Sequence, residues 1–310
     1  MASYRQRLPF RPNTRTLCYT GIDTELCFVH QKILPKGATY PLLNKADARD
    51  IIEAMYVDLI ALAKQHNALV ILDAMTWIAS RDRGAKIGLT PKQLEAFNLD
   101  AIDLMHSVRA NQDDLPTLLS AQIGPRDDGY SAEHKMSWDE AKRYHGEQIS
   151  TYSSTPADLI TGSTLSYADE ALGIVLAAKE HNMPVVISFT VEQDGHLPSG
   201  MSLKSAIEYV DQNSEHYAEH FMINCAHPDH FAQIFNQQAW EQRIKGIIVN
   251  ASRCSHAELD NCDTLDAGDP IELGELVGDI CRNNPQINVV GGCCGTNFEH
   301  LQAILRNLHN

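Results

Sequence analysis

The sequence predicts an α/β fold, a (β/α)8 (TIM) barrel forming one domain over residues 1–310, and three observations carry the prediction. Short apolar runs alternate with longer amphipathic stretches eight times along the chain. The runs lack strict in-and-out alternation, as expected of parallel strands buried on both faces. The least regular segments, 27–45, 124–136, 191–201 and 251–269, each follow a strand and precede its helix, where a barrel carries its catalytic rim. A doubly wound open sheet is the alternative. No G-x-G-x-x-G follows the first strand, so the nucleotide-binding version of that sheet has no support.

Taken in order, the first strand is the weakest signal, Leu17-Cys18-Tyr19, followed by a helix near 46–66. Leu69–Leu72 is the second strand, and Thr90-Pro91-Lys92-Gln93 then opens a helix near 91–109 with an N-cap, a first-turn proline and a capping-box glutamine. Leu118–Ile123 precedes a helix near 138–152, capped by Ser137 and Glu140. Leu159-Ile160 precedes a helix near 167–181, whose apolar face is Ala168, Ala171, Leu172, Val175 and Ala178. Val185–Phe189, Phe221–Ile223, Ile244–Val249 and Ile287–Val290 lead into helices near 203–213, 229–235, 271–283 and 297–308. Thr296 and Glu299 have capping-box spacing at the start of the last.

Composition bounds the function. With 44% hydrophobic residues the chain can bury a sizeable core. Its 40 acidic and 25 basic side chains give a net charge of −15, against a general nucleic-acid or anionic-membrane binder, which needs a basic face. Residues 1–13 hold no apolar signal region and no run of about 18 apolar residues occurs. Eight cysteines are too few for a disulfide scaffold. The expectation is a cytoplasmic protein with reduced thiols.

Three of those cysteines form a pattern. Asn224-Cys225 ends the sixth strand, and Gly291-Gly292-Cys293-Cys294-Gly295-Thr296 ends the eighth. In a barrel these thiols share the C-terminal face, and three thiolates fill three corners of a zinc tetrahedron, leaving the fourth open as catalytic sites do. The glycines suit a backbone that needs positive φ, and a helix starting directly after the pair favours thiolates. A redox-active Cys-Cys pair with Cys225 as a buried small hydrophobe fits the same spacing.

Val289 to Thr296, with Ile223-Asn224-Cys225 upstream, resembles the signature of the zinc-dependent homocysteine S-methyltransferase family. Gly21-Ile22-Asp23-Thr24-Glu25-Leu26 resembles its N-terminal motif, Thr76 the threonine closing its second strand, and Ile123-Gly124-Pro125 the end of its third. Tyr144-His145 falls where the following helix carries a histidine, Ile187-Ser188-Phe189-Thr190 resembles the fifth strand, and Asn250 the asparagine after the seventh. The resemblance spans nearly the whole chain. It implies a (β/α)8 barrel with Zn²⁺ on Cys225, Cys293 and Cys294, and a substrate site on the rim for which Gly21, Glu25, Thr76 and Asn250, with Ser163 and Glu192 on the same rim, are the candidate contacts. It also implies methyl transfer from a small activated donor, of S-methylmethionine, S-adenosylmethionine or betaine type, to a thiol. Homocysteine, giving methionine, is the first expectation. Zinc then supplies the thiolate, which a free thiol of pKa about 8.5 scarcely provides at neutral pH.

Two slots depart from the family. Where it places an aspartate at the end of strand one, this chain has Tyr19; where it places a glutamate after strand four, this chain has Ser163. Both acids would hold the amino-acid end of the acceptor, and Glu25 or Glu192 on the same rim are the expected substitutes. The alternatives are therefore another thiol or selenol acceptor, or an inactive zinc-binding or redox-sensing barrel.

Weaker signals remain. Trp77 and Tyr130 suit either packing or a cationic donor. His145 suits a helix cap or a carboxylate partner. Cys254, His256 and Cys262 lack a fourth ligand for a second metal, and His216 and His220 read as exposed or capping residues. Asn250-Ala251-Ser252 is a glycosylation sequon in a chain with no secretory signal. Partners are expected to be the small thiol and methyl donor, with no signal for an oligomeric state.

Overall fold

Eight strands, all parallel, pair in sequence order and close on themselves: β1 (Thr16–Tyr19), β2 (Leu69–Asp73), β3 (Thr117–Ile123), β4 (Leu159–Leu165), β5 (Val185–Phe189), β6 (His220–Asn224), β7 (Ile244–Val249) and β8 (Val289–Gly292), the last returning to β1. The computed structural model describes residues 3–10, 14–112, 115–259 and 264–308. The principal helix of each unit is α1 (Ala46–Gln65), α2 (Pro91–Ala110), α3 (Trp138–Ser153), α4 (Ala168–Glu180), α5 (Leu203–Ser214), α6 (Pro228–Phe231), α7 (Pro270–Asn283) and α8 (Phe298–Asn307). This is the (β/α)8 barrel read from the sequence.

The differences are local. β8 starts two residues later than expected, because Ile287 is held in a turn by the carbonyl of Asn284. β4 runs on to Leu165 through a register shift after Gly162. The capping boxes at Thr90 and Ser137 form, but α8 is capped by Asn297 with His300, and Thr296 instead donates its hydroxyl to Cys293 O at 2.6 Å. His220 is neither exposed nor a cap: it is buried at the start of β6, against Phe10, and burial pushes its imidazole down to about 3. His216 is exposed beside Asp211.

Side-chain alternation splits the strands between two cores. Cys18, Ile71, Leu118, Leu159, Val186, Met222, Ile248 and Val289, one from each strand, form a buried apolar layer inside the barrel. Their neighbours, such as Leu17, Val70, Leu119, Ile160 and Ile247, join the larger core beneath the helices. Both faces are covered, so the strands read as apolar runs. Tyr4, Leu8 and Phe10 pack against the inner layer. Asp158, fully buried, ties this segment down by accepting from Tyr4 N, Leu119 N and Arg109. Those contacts lie where β4 begins, so they close the N-terminal end of the barrel. No helix among the described residues is long and apolar enough to cross a membrane.

Candidate metal centre and its cavity

Two residues beyond the apolar layer, the strands turn polar. Alternation from Ile71, Leu118, Leu159 and Val186 brings Asp73, Ser120, Thr161 and Ser188 to the inner face. Ser120 and Thr161 hydroxyls lie 2.7 Å apart, and Ser188 donates to Asn224 Oδ1 at 2.8 Å. Asn224 also accepts from Thr164 N and donates to Thr164 Oγ1, at 3.0 and 2.7 Å. Those two bonds hold Thr164 at φ 60, a conformation a β-branched residue rarely adopts, at the bulge of β4.

Directly after β6, Cys225 also takes a left-handed backbone, φ 54, with its N–H on Ile248 O. Its Sγ lies 3.4 Å from Cys294 Sγ, which is 3.9 Å from Cys293 Sγ. All three sulfurs lie within 4.8 Å of one another, and no other such metal-capable group of His, Cys, Asp or Glu occurs among the described residues. Four-coordinate zinc with bonds of about 2.3 Å places its sulfur ligands about 3.8 Å apart. The donor set and spacing fit a soft divalent ion with one position left for a substrate. Hydrogen bonds from Cys293 and Cys294 hold the Cys225 thiol well below its ordinary value, and the contact with Cys225 pushes the other two well above theirs. A bound dication would displace the protons the thiols still hold.

The Gly-Gly-Cys-Cys-Gly turn works differently from the sequence reading. Only Gly295 has positive φ (77°); Gly291 is required by close approach, since a Cβ there would lie 1.9 Å from Cys18 O. The last helix does not start directly after the pair, because Gly295, Thr296 and Asn297 intervene.

A cavity of about 50 Å³ opens beside Cys293 and Cys294, lined also by Thr20, Asp23, Trp77, Gln122, Tyr130, Thr164 and Asn224. A smaller one, about 10 Å³, shares Thr20, Asp23, Trp77 and Gln122 and reaches Asp73. Trp77 is fixed by its indole N–H on Ser163 O at 3.1 Å. The Tyr130 hydroxyl donates to Cys225 Sγ at 3.0 Å, and its ring stacks on His256, centroids 3.9 Å apart. Loops after β3 and β7 thereby meet over the thiols.

The other residues named from the sequence are placed variously. Gly21 abuts the turn, where a Cβ would meet Cys293 O at 2.6 Å. Thr76 spends its hydroxyl on Gln122 O, and Ser163 accepts from Gln122 Nε2. Asn250 is buried with Nδ2 3.7 Å from Cys225 Sγ. Glu25 accepts from the Tyr19 hydroxyl at 2.8 Å. Glu192 follows β5, its N–H on His196 O. Of these six residues none lines either cavity. In the Cys254 loop, Cys262 lies outside the described residues, and His256 serves the Tyr130 stack. Sequence reasoning missed Asp23 and Asp73. Asp23 stands inside the quoted N-terminal motif, and Asp73 two residues past Ile71 was the available signal.

His145 caps nothing. It is buried with Nε2 2.9 Å from Glu170 Oε1, and the same oxygen accepts Arg126 N–H at 2.8 Å. Tyr167 accepts Met136 N–H at 3.0 Å. These groups, on α3, on α4 and at the residue before α4, clasp both ends of the loop that presents Tyr130. Glu170→Ala leaves the buried His145 imidazole and the Arg126 N–H without their acceptor, so unfolding free energy should fall by about 2 kcal/mol in chemical denaturation. A loss below about 1 kcal/mol would show that the clasp carries no load.

Residues 21–308 match the family model described as homocysteine S-methyltransferase. Among solved structures, the chain resembles the homocysteine methyltransferase MmuM from Escherichia coli. Its metallated form gives 15% identity and a TM-score of 0.72 over 95% of this chain and 96% of that one. Its oxidized form gives 17% identity and a TM-score of 0.71 over 94% of each. At such identity these structures establish a common fold.

Proposed function

The chain belongs to the homocysteine S-methyltransferase family, and from that premise we propose that it methylates homocysteine at a zinc ion held by Cys225, Cys293 and Cys294, using a small sulfonium or betaine-type donor. The observation that carries the reading is the convergence of three thiols, two of which, Cys293 and Cys294, line a cavity that also presents Trp77 and Tyr130. MmuM, of the same fold, has a metallated form, which supports a metal here.

A zinc ion at the thiols would supply the acceptor as a thiolate near neutral pH, the form that attacks an activated methyl. The chain's own residues align and enclose. Cys225, strained at φ 54, is held by Ile248 O and by the Tyr130 hydroxyl, so its sulfur is aimed before substrate arrives. Tyr130 donating to that sulfur also tempers its charge, as hydrogen bonds around metal ligands do. Trp77 and Tyr130 offer aromatic faces to a methyl-bearing cation. The Tyr130–His256 stack narrows the mouth and limits water around the reacting sulfur.

The test is a turnover panel on zinc-loaded protein, with homocysteine and other thiols against S-methylmethionine, S-adenosylmethionine and betaine. Methionine should form with at least one donor. Transfer to a different thiol, with no methionine from any donor, would overturn the homocysteine assignment.

A further inference from the structure

Two acids line the paired cavities with no basic side chain to answer them. Asp23 borders both cavities and Asp73 the smaller, and no lysine, arginine or histidine lines either. Asp73 is 4% exposed. One of its oxygens accepts from Cys18 Sγ at 2.8 Å, while the other is buried without a hydrogen-bond partner. Asp23 accepts from the Thr39 hydroxyl at 2.5 Å. Burial pushes each carboxyl up to about 6.

A buried carboxylate without a counter-charge is strained toward any cation that can reach it. The open oxygen of Asp73 adds a chemical requirement, because a buried acceptor needs an N–H or O–H donor. A sulfonium or a quaternary ammonium has neither. A primary ammonium has three N–H groups. The methylated centre of the donor is therefore the poorer match and an α-ammonium the better one; among the α-amino acids of this reaction, only the acceptor also brings a free thiol for the metal centre.

We propose that Asp23 and Asp73 form the ammonium subsite of an amino-acid thiol, whose sulfur then reaches Cys293 and Cys294 across the wall shared by Thr20, Trp77 and Gln122. Neither acid occupies the Tyr19 or Ser163 slot, so this chain recognises the amine from its own positions. The subsite deepens the thiol-transfer reading and rests on it for the identity of the ligand.

Calorimetric titration of the zinc-loaded protein tests the inference with three probes: homocysteine, its analogue lacking the amine, and norvaline, which keeps the amino-acid end without sulfur. Homocysteine should bind at least about tenfold more tightly than the amine-free analogue, as charge-assisted hydrogen bonds imply. Asp73→Asn should erase most of that difference while leaving the amine-free analogue within about twofold, and Asp23→Asn, which keeps the oxygen facing Thr39, provides a second route should the first variant fail to fold. Equal affinity of the wild type for homocysteine and the amine-free analogue would overturn the subsite without any variant. Failure of the thiol-transfer reading looks different: no methionine forms, yet norvaline still binds and loses affinity in both variants.

Discussion

Cys293→Ser is expected to drop bound zinc from about one per chain to near none and to cut methyl transfer by about a thousandfold or more. A serine hydroxyl does not ionise near neutral pH, so the fourth corner of the tetrahedron would not be the only one open; two thiolates cannot hold the ion against solvent. The substitution nearly keeps the size of the side chain, so the barrel should remain folded. Two controls make the result specific. Chelation should lower the Tm of the wild type, because a bound ion stabilises the folded state, and should leave that of Cys293→Ser unmoved. Cys27→Ser, on the exposed turn after β1, should keep both metal and activity. Zinc retained at full occupancy by Cys293→Ser would remove this thiol from the metal centre.

Much of this architecture was legible because a parallel barrel writes itself as short apolar runs between capped helices, and seven of its eight strands stood out in that way. The thiol cluster was legible for a different reason: strand ends in such a barrel share one face, so Cys225 and Cys293 meet once the strand count is right. The acids were not. Whether Asp73 faces the interior depends on where β2 sits in the closed sheet, and that is fixed by its pairing of Val70 with Thr117 and Asp73 with Ser120 on the next strand. Glu25 and Glu192 looked like rim residues by chain position. The rim is wider than the cavity, and a short helical turn after β1 points Glu25 at the Tyr19 hydroxyl instead. The Tyr130–His256 stack joins loops 126 residues apart in the sequence, a contact that no local pattern encodes.

Gly291→Ala should be among the most damaging single-methyl additions in the chain, lowering unfolding free energy by about 3 kcal/mol and releasing the metal. Gly291 pairs with Cys18 on one side and Ile248 on the other, at the seam where the barrel closes. An added Cβ would lie 1.9 Å from the Cys18 carbonyl oxygen and 2.8 Å from its carbon. Both are backbone atoms of a neighbouring strand, so no rotamer change relieves the contact and β1 must move away from β8. That movement acts two residues before Cys293 and at the strand that presents Thr20 to the cavity, so stability and metal affinity should fall together. Gly146→Ala is the contrast: it lies inside α3, and its nearest neighbour would be Ala177 Cβ at 3.9 Å. There the methyl meets ordinary van der Waals contact and the helix gains propensity, so stability should rise by about 0.5–1 kcal/mol with metal content unchanged. Denaturation curves and metal analysis on the two variants separate a closed seam from a tolerant one. If Gly291→Ala unfolds within about 1 kcal/mol of the wild type and keeps its zinc, strands β1 and β8 do not approach as closely as the pairing of Cys18 with Gly291 places them.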